Sequence, residues 1–210
     1  YDWIVNLWTV GFDFLWKKRI LAKIPERPTR ILDQACGTGI LTFKIAQKFP
    51  LCQVIGVELR DEYLSIAKKK AEALKIANCR FILGRAEDVL LKDKLDCITS
   101  SYLAKYAELD TLIGNAKRML RHGGLLVMHD FTYPRNHVFA WIWKHYFKLM
   151  QTVGSWKYPH WKTVFYELPE FIRKTEWVTD LVRLLRENAF RDITGESLTF
   201  GTSAIVTARK

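Results

Sequence analysis

The stretch "ILDQACGTGILTFKIA", Ile31 to Ala46, sets an acid, a bare glycine turn and a helix-spaced apolar run in succession. Ile31 and Leu32 lead to Asp33, and Gly37, Thr38 and Gly39 follow. Glycine lets a ligand approach the main chain with no Cβ in the way. The first turn of the next helix offers N–H groups without partners inside the helix. Nineteen residues beyond Gly39 stands Glu58, closing the next β-rich run. A carboxylate there can accept hydrogen bonds from both vicinal hydroxyls of a ribose. One strand further, Gly84-Arg85-Ala86-Glu87-Asp88 places acids where an adenine amino group would be read, or where they would charge the first turn of a helix. The turn lacks the third glycine of G-x-G-x-x-G, with Phe43 following at helical spacing. That argues against a dinucleotide and for adenosine carried on an amino acid. The alternative is a plain tight βα turn beside a surface glutamate.

The elements that must position these residues alternate regularly. β-rich runs at Arg30–Asp33, Gln53–Glu58, Arg80–Leu83, Asp96–Ser101 and Leu125–Phe131 are interleaved with helical runs at Ile40–Lys48, Asp61–Leu74 and Leu109–Leu120. Near-continuous apolar strands alternating with helices predict an α/β fold, a parallel sheet covered on both faces. Residues 1–28 predict a helical cap and linker, stopped by Pro25 and Pro28, and Gly123-Gly124 predicts a helix C-cap. A helix over Glu176–Asn188 precedes two β-rich runs, Asp192–Phe200 and Ser203–Ala208, which predict an antiparallel pair.

The length of 210 residues predicts one domain over 1–210, with an insertion over 132–168. Composition is that of a globular chain, 49% hydrophobic and 26% charged, which excludes wholesale disorder. Cys36, Cys52, Cys79 and Cys97 form no CxxC pair and read as reduced core thiols of a cytosolic protein. The five histidines show no metal-ligand spacing. No run reaches the roughly 18 apolar residues of a membrane span. The net charge of +11 points to an anionic partner: nucleic acid, a membrane surface or an acidic substrate.

Together these pieces resemble the class I S-adenosylmethionine-dependent methyltransferases, and within them the ubiquinone/menaquinone biosynthesis C-methyltransferase family. The resemblance runs along almost the whole chain. It is carried by "YDWIVNLWTVGFDFLWKK", "LDQACGTG", "GRAEDV", "DCITSSYLAKY", "LRHGGLLVMHDFTYP", "FYELPEFIR" and "LTFGTSAIV". It implies a Rossmann-like seven-stranded sheet with one antiparallel strand, S-adenosylmethionine as cofactor, and cofactor contacts at Thr38, Glu58, Arg85, Ala86 and Ser101. Asp33, Gly37, Gly39 and Glu87 complete the expected cofactor site. Several positions depart from the family pattern: Val5-Asn6 for Asn-Asp, Asp13 for a histidine, Lys105-Tyr106 for Arg-Asn, Arg85 for an asparagine and Phe171 for a serine. The departures gather toward the acceptor end.

C-methylation of a hydroxylated ring needs the phenolic proton removed and a dry, in-line site. One general base, direct or through water, suffices and no metal is required. Candidates follow the fifth strand at the carboxyl edge of the sheet: His129, Asp130, Arg135, Asn136 and His137. Asp130 stands at the family's acidic position and is expected as orienter or base, with Arg135 as a phenolate stabiliser. Strand alternation puts His129 on the opposite face, where it is either catalytic or simply packed.

Residues 131–166 contain no acid, five Lys/Arg and twelve aromatic residues. Val138, Trp141, Ile142, His145 and Leu149 fall at helical spacing, with Lys144 and Lys148 off that stripe. This reads as a lid over a prenylated quinol acceptor, resting on a membrane surface, or as aromatics packing the lid onto the core. Nucleic acid is the rival explanation of the charge. Against it, Ser100-Ser101-Tyr102-Leu103 lacks the Asn/Asp-Pro-Pro-aromatic motif of amino-methylating enzymes, and the basic residues are dispersed. The reading is a cytosolic enzyme, peripheral to the membrane, with oligomerisation open. Another small-molecule or RNA methyltransferase, or a non-catalytic cofactor-binding subunit of a quinone-synthesis assembly, are the alternatives.

Overall fold

Short apolar runs between turn residues become strands here, and runs with apolar residues every third or fourth position become helices. A computed structural model describes residues 9, 11–157 and 162–210, which leaves the expected Tyr-Asp opening and Val5-Asn6 outside the described residues. The elements run α1 (Phe12–Lys23), β1 (Arg30–Gln34), α2 (Ile40–Lys48), β2 (Gln53–Glu58), α3 (Asp61–Ala73) and β3 (Cys79–Leu83). Then come β4 (Leu95–Ser101), α4 (Leu109–Met119), β5 (Leu120–Phe131) and α5 (His137–Leu149). A π-helical turn (Met150–Gly154) and a short helical piece (Ser155–Lys157) follow. The chain ends with α6 (Lys162–Lys174), α7 (Trp177–Glu187), β6 (Arg191–Leu198) and β7 (Ser203–Arg209).

The seven strands form one sheet in the order β3-β2-β1-β4-β5-β7-β6. β7 is antiparallel to both β5 and β6, and the remaining pairs are parallel. This is the Rossmann-like, mostly parallel sheet expected, with helices on both faces. On one face Leu32, Ile98, Leu126 and Met128 pack against Leu112 and Ile113 of α4 and Trp177 and Leu181 of α7. On the other, Ile31, Cys97, Leu125 and Val127 pack against Trp16 and Ile20 of α1 and Leu41 and Ile45 of α2. Both sides of each central strand are therefore covered, which is why these strands lack polar alternation. The four thiols are free, Cys36, Cys52 and Cys97 buried and Cys79 half-buried.

Two expectations are corrected. β5 begins at Leu120 rather than Leu125, because Leu120 pairs with Leu95 before a shift in register. Gly123-Gly124 thus serves an irregular strand start and not a helix cap. Of the two readings of the α5 stripe, packing onto the core is not the one seen: the stripe points outward. Val138, Trp141, Ile142 and Leu149 are exposed, while Trp143 is buried with its ring edge-on to Tyr133 at 5.2 Å.

Candidate active site

The strand order reverses between β1 and β4, and doubly wound sheets open a crevice at such a point, at the carboxyl ends of the strands. Here the crevice is a cleft of ≈ 650 Å³, within the range of small-molecule sites. Asp33, Gly37, Thr38, Glu58, Arg85, Ala86, Glu87 and Ser101 all line it. The structure thus brings together eight of the nine residues expected to hold a cofactor. Gly39 stands behind them as the residue that starts α2, its carbonyl accepting the Phe43 N–H at 2.9 Å.

The two glycines serve different ends. At Gly37, φ is +57° and a Cβ would meet nothing within 4 Å, so its main chain faces open space. At Gly39, φ is +87° and a Cβ would lie 2.5 Å from the Phe43 ring. Thr42, where a dinucleotide turn would carry its third glycine, donates its hydroxyl to Asp33 Oδ2 at 2.6 Å. Thr99 donates to Asp33 Oδ1 at 2.8 Å. Burial pushes the Asp33 carboxyl up to about 6, against the pull of those two hydroxyls.

Glu58 and the glycine turn form one unit. The Gly37 N–H donates to Glu58 Oε2 and the Arg60 N–H to Glu58 Oε1, each at 2.9 Å. A carboxylate fixed by two main-chain donors keeps further lone pairs for a ligand in the cleft. Glu87 accepts the Glu108 N–H at 3.2 Å, which ties the segment after β3 to the start of α4.

Lys17 lines the cleft and is not among the site residues expected from the sequence. Asp13, Trp16, Lys17 and Ile20 are all buried, and their spacing places them on one face of α1. The signal was present: a charged pair at i,i+4 sharing the apolar stripe. Lys17 is ion-paired with Asp13, which also accepts the Tyr102 hydroxyl at 2.6 Å. Burial lowers the Lys17 pKa, with Asp13 opposing. Tyr102, at the cleft with φ +67°, holds a backbone conformation rare for a non-glycine residue. Tyr106, Arg60 and Tyr63 also line the cleft and were not singled out as site residues from sequence.

The residues expected to be catalytic lie outside the cleft lining. Asp130 is wholly buried and accepts from Lys105 Nζ at 2.5 Å, the Lys105 N–H at 3.1 Å and the Phe131 N–H at 2.7 Å. With Lys105 so engaged, Asp130 fixes the loop after β4. Burial lowers the Lys105 pKa, opposed by Asp130. Arg135 is exposed in the segment before α5, Asn136 caps that helix through the Val138 and Phe139 N–H groups, and His137 is exposed.

His129 is also wholly buried, yet it reaches the cleft through a neighbour. Its Nδ1 lies 2.9 Å from Ser101 Oγ and its Nε2 lies 2.7 Å from Ser203 Oγ. Ser203 donates its own proton to the Asp130 carbonyl at 3.1 Å, so Nε2 carries the hydrogen and Nδ1 is the acceptor. Ser101 therefore donates to His129 and leaves its lone pairs toward the cleft. Burial first, then Lys17 and Lys105, lower the His129 pKa well below the ordinary imidazole value and keep the ring neutral.

The model of the ubiE/COQ5 methyltransferase family matches residues 1–210, the full length of the chain. The chain belongs to that family. The demethylmenaquinone methyltransferase of Thermus thermophilus is 29% identical, over 98% of this chain and 94% of the relative. The ubiquinone/menaquinone biosynthesis C-methyltransferase UbiE of Rickettsia prowazekii is 26% identical, over 100% of this chain and 88% of the relative. Among solved structures, a geranyl diphosphate methyltransferase in complex with SAM superposes with a TM-score of 0.66 at 15% identity, covering 93% of this chain and 84% of the other. That likeness is one of fold. As a member of the ubiE/COQ5 family, the chain is a methyltransferase, and the lined cleft is its candidate active site.

Proposed function

We propose that this methyltransferase transfers a methyl group from S-adenosylmethionine to a ring carbon of a prenylated quinol held at a membrane surface. The observation that carries the cofactor assignment is Glu58, anchored by the Gly37 and Arg60 N–H groups beside an open glycine main chain. That arrangement fits a ribose diol. Arg85, Ala86 and Glu87 stand where the adenine would be read, and Asp33 and Lys17 offer an anion and a cation for the ammonium and carboxylate of an amino-acid tail. The bound cofactor supplies an electrophilic methyl on a sulfonium. Ser101 Oγ, its own proton held by neutral His129 Nδ1, accepts a hydrogen bond from the acceptor's hydroxyl; that proton leaves through water so that the neighbouring ring carbon becomes nucleophilic, and after transfer the ring C–H proton leaves to water to restore aromaticity. Asp130 acts as orienter, through Lys105. Arg135 comes to the acceptor only with movement of the segment before α5.

The names of the Thermus and Rickettsia relatives support a quinol acceptor. The exposed face of α5 and the turn after it support a lid, residues 132–168, that rests on lipid. Val138, Trp141, Ile142, Leu149, Val153 and the 83% exposed Trp156 point outward beside Lys144, Lys148 and Lys157. Apolar side chains with cations and no acid match an anionic bilayer. No helix among the described residues is long and apolar enough to cross a membrane.

The test is incubation with methyl-labelled cofactor and a panel of demethyl-quinols, with the labelled position read by mass spectrometry. Label on a ring carbon is expected. Label on a hydroxyl oxygen, or transfer to RNA instead, overturns the acceptor assignment. Cofactor binding without transfer to any acceptor overturns the catalytic one.

A further inference from the structure

Tyr106 lines the cleft from the loop after β4, and its ring stacks on Phe171 of α6 with centroids 4.9 Å apart and planes at 29°. The two partners are held unequally. The Tyr106 side is anchored: the neighbouring Lys105 is locked into the buried pair with Asp130, its Nζ lies 4.4 Å from the Tyr106 ring centre, and the Tyr106 N–H is bonded to the Leu103 carbonyl. The Phe171 side is weaker. Its helix carries Pro169 two residues earlier, and an internal proline removes a main-chain hydrogen bond and favours bending there. Both rings are partly open to solvent, Tyr106 at 58% and Phe171 at 43%.

We infer that Phe171 occupies the seat of the acceptor's ring on Tyr106, so that a flat aromatic acceptor enters by displacing Phe171 and stacking in its place. This deepens the quinol reading above and rests on it. One aromatic stack is exchanged for another of similar strength, so the exchange is close to balanced and a small bend of α6 suffices to open the seat. Tyr106 and Phe171 then set which acceptors fit: planar rings are admitted, and a saturated ring of equal size gains no stack.

The test is equilibrium binding of a one-prenyl 1,4-naphthoquinone to the full chain saturated with S-adenosylhomocysteine, so that no turnover intervenes. Phe171→Ala removes the competitor and is expected to tighten quinone binding about 2- to 12-fold, the equivalent of one aromatic stack. Phe171→Tyr keeps the competitor and stays within about twofold of the natural chain, by the same measure. Tyr106→Ala added to Phe171→Ala weakens binding about 2- to 12-fold relative to Phe171→Ala alone, since the seat is lost where no competitor remains. S-adenosylhomocysteine affinity is expected to be unchanged in the two single Phe171 variants, and a thermal melt certifies the folding of all three. Unchanged or weaker quinone binding in Phe171→Ala overturns the inference, because Phe171 would then be wall and not occupant. Equal binding in Phe171→Ala with and without Tyr106→Ala overturns it as well. Failure of the natural chain to bind the quinone while binding S-adenosylhomocysteine defeats the quinol reading itself, and the inference falls with it.

Discussion

Replacing Glu58 with alanine is expected to weaken S-adenosylhomocysteine binding at least ~100-fold. Each hydrogen bond from a ribose hydroxyl to a carboxylate is worth about 1.5–3 kcal/mol, so loss of two removes about 3–6 kcal/mol, and about 3 kcal/mol already exceeds a hundredfold. A second effect adds to this. Glu58 also holds the Gly37 and Arg60 N–H groups at 2.9 Å, so its loss loosens the turn. Those donors sit at the cleft edge, where water can replace the carboxylate, so this contribution is the smaller. Glu58→Gln keeps the length but turns one acceptor into a donor, and an intermediate loss of about tenfold is expected, about half the bond strength remaining. Isothermal calorimetry at neutral pH gives the affinities, and a thermal melt checks that each variant is folded. A folded Glu58→Ala protein whose affinity falls less than about fivefold would refute the ribose role.

Asp33, raised to about 6, is ionised above that value and neutral below it, so affinity for an ammonium-bearing ligand should be flat above pH 7. It should fall by up to tenfold per unit below about 6; Asp33→Asn should bind weakly with a flat profile, and a sloping profile in that variant assigns the titration elsewhere. Lys105→Met strands the wholly buried Asp130 and should cost about 3–5 kcal/mol in urea denaturation. Adding Asp130→Leu should recover most of that, and a single variant within about 1 kcal/mol of the natural chain shows the pair to be dispensable. Lys144→Ala with Lys148→Ala should lower partition onto phosphatidylserine vesicles about 30-fold, at about 1 kcal/mol per lysine. Trp141→Ala with Trp156→Ala should weaken partition onto neutral vesicles too; partition unaltered by either pair removes α5 from the lipid contact.

Much of the fold and half of the site are legible in the chain. α2 and β2 fall at the bounds their patterns predict, and β7 reverses as its place after Gly201 suggests, because turn residues and apolar periodicity act over a few positions. The expected cofactor contacts converge for the same reason: each ends a strand or opens a helix, and the strand order alone carries those ends to one crevice. The catalytic candidates are less legible. Alternation separates His129 from Asp130 correctly, but that His129 is joined to the cleft through a neighbour depends on Ser101 and Ser203, 28 and 74 residues away from it in the chain. The stripe on α5 is real, yet periodicity does not state whether an apolar face meets core or solvent.

The sequence by itself determined the element order, the glycine turn with its distant acid, and the helical stripe of α5. Tertiary structure alone decided that Lys17 lies at the cleft, that Asp130 is sealed by Lys105, that His129 meets the cleft only through Ser101, and that Tyr106 and Phe171 meet. Backbone conformation follows from neighbours along the chain, whereas burial, ion pairing and protonation follow from neighbours in space, and those are chosen only when the sheet closes.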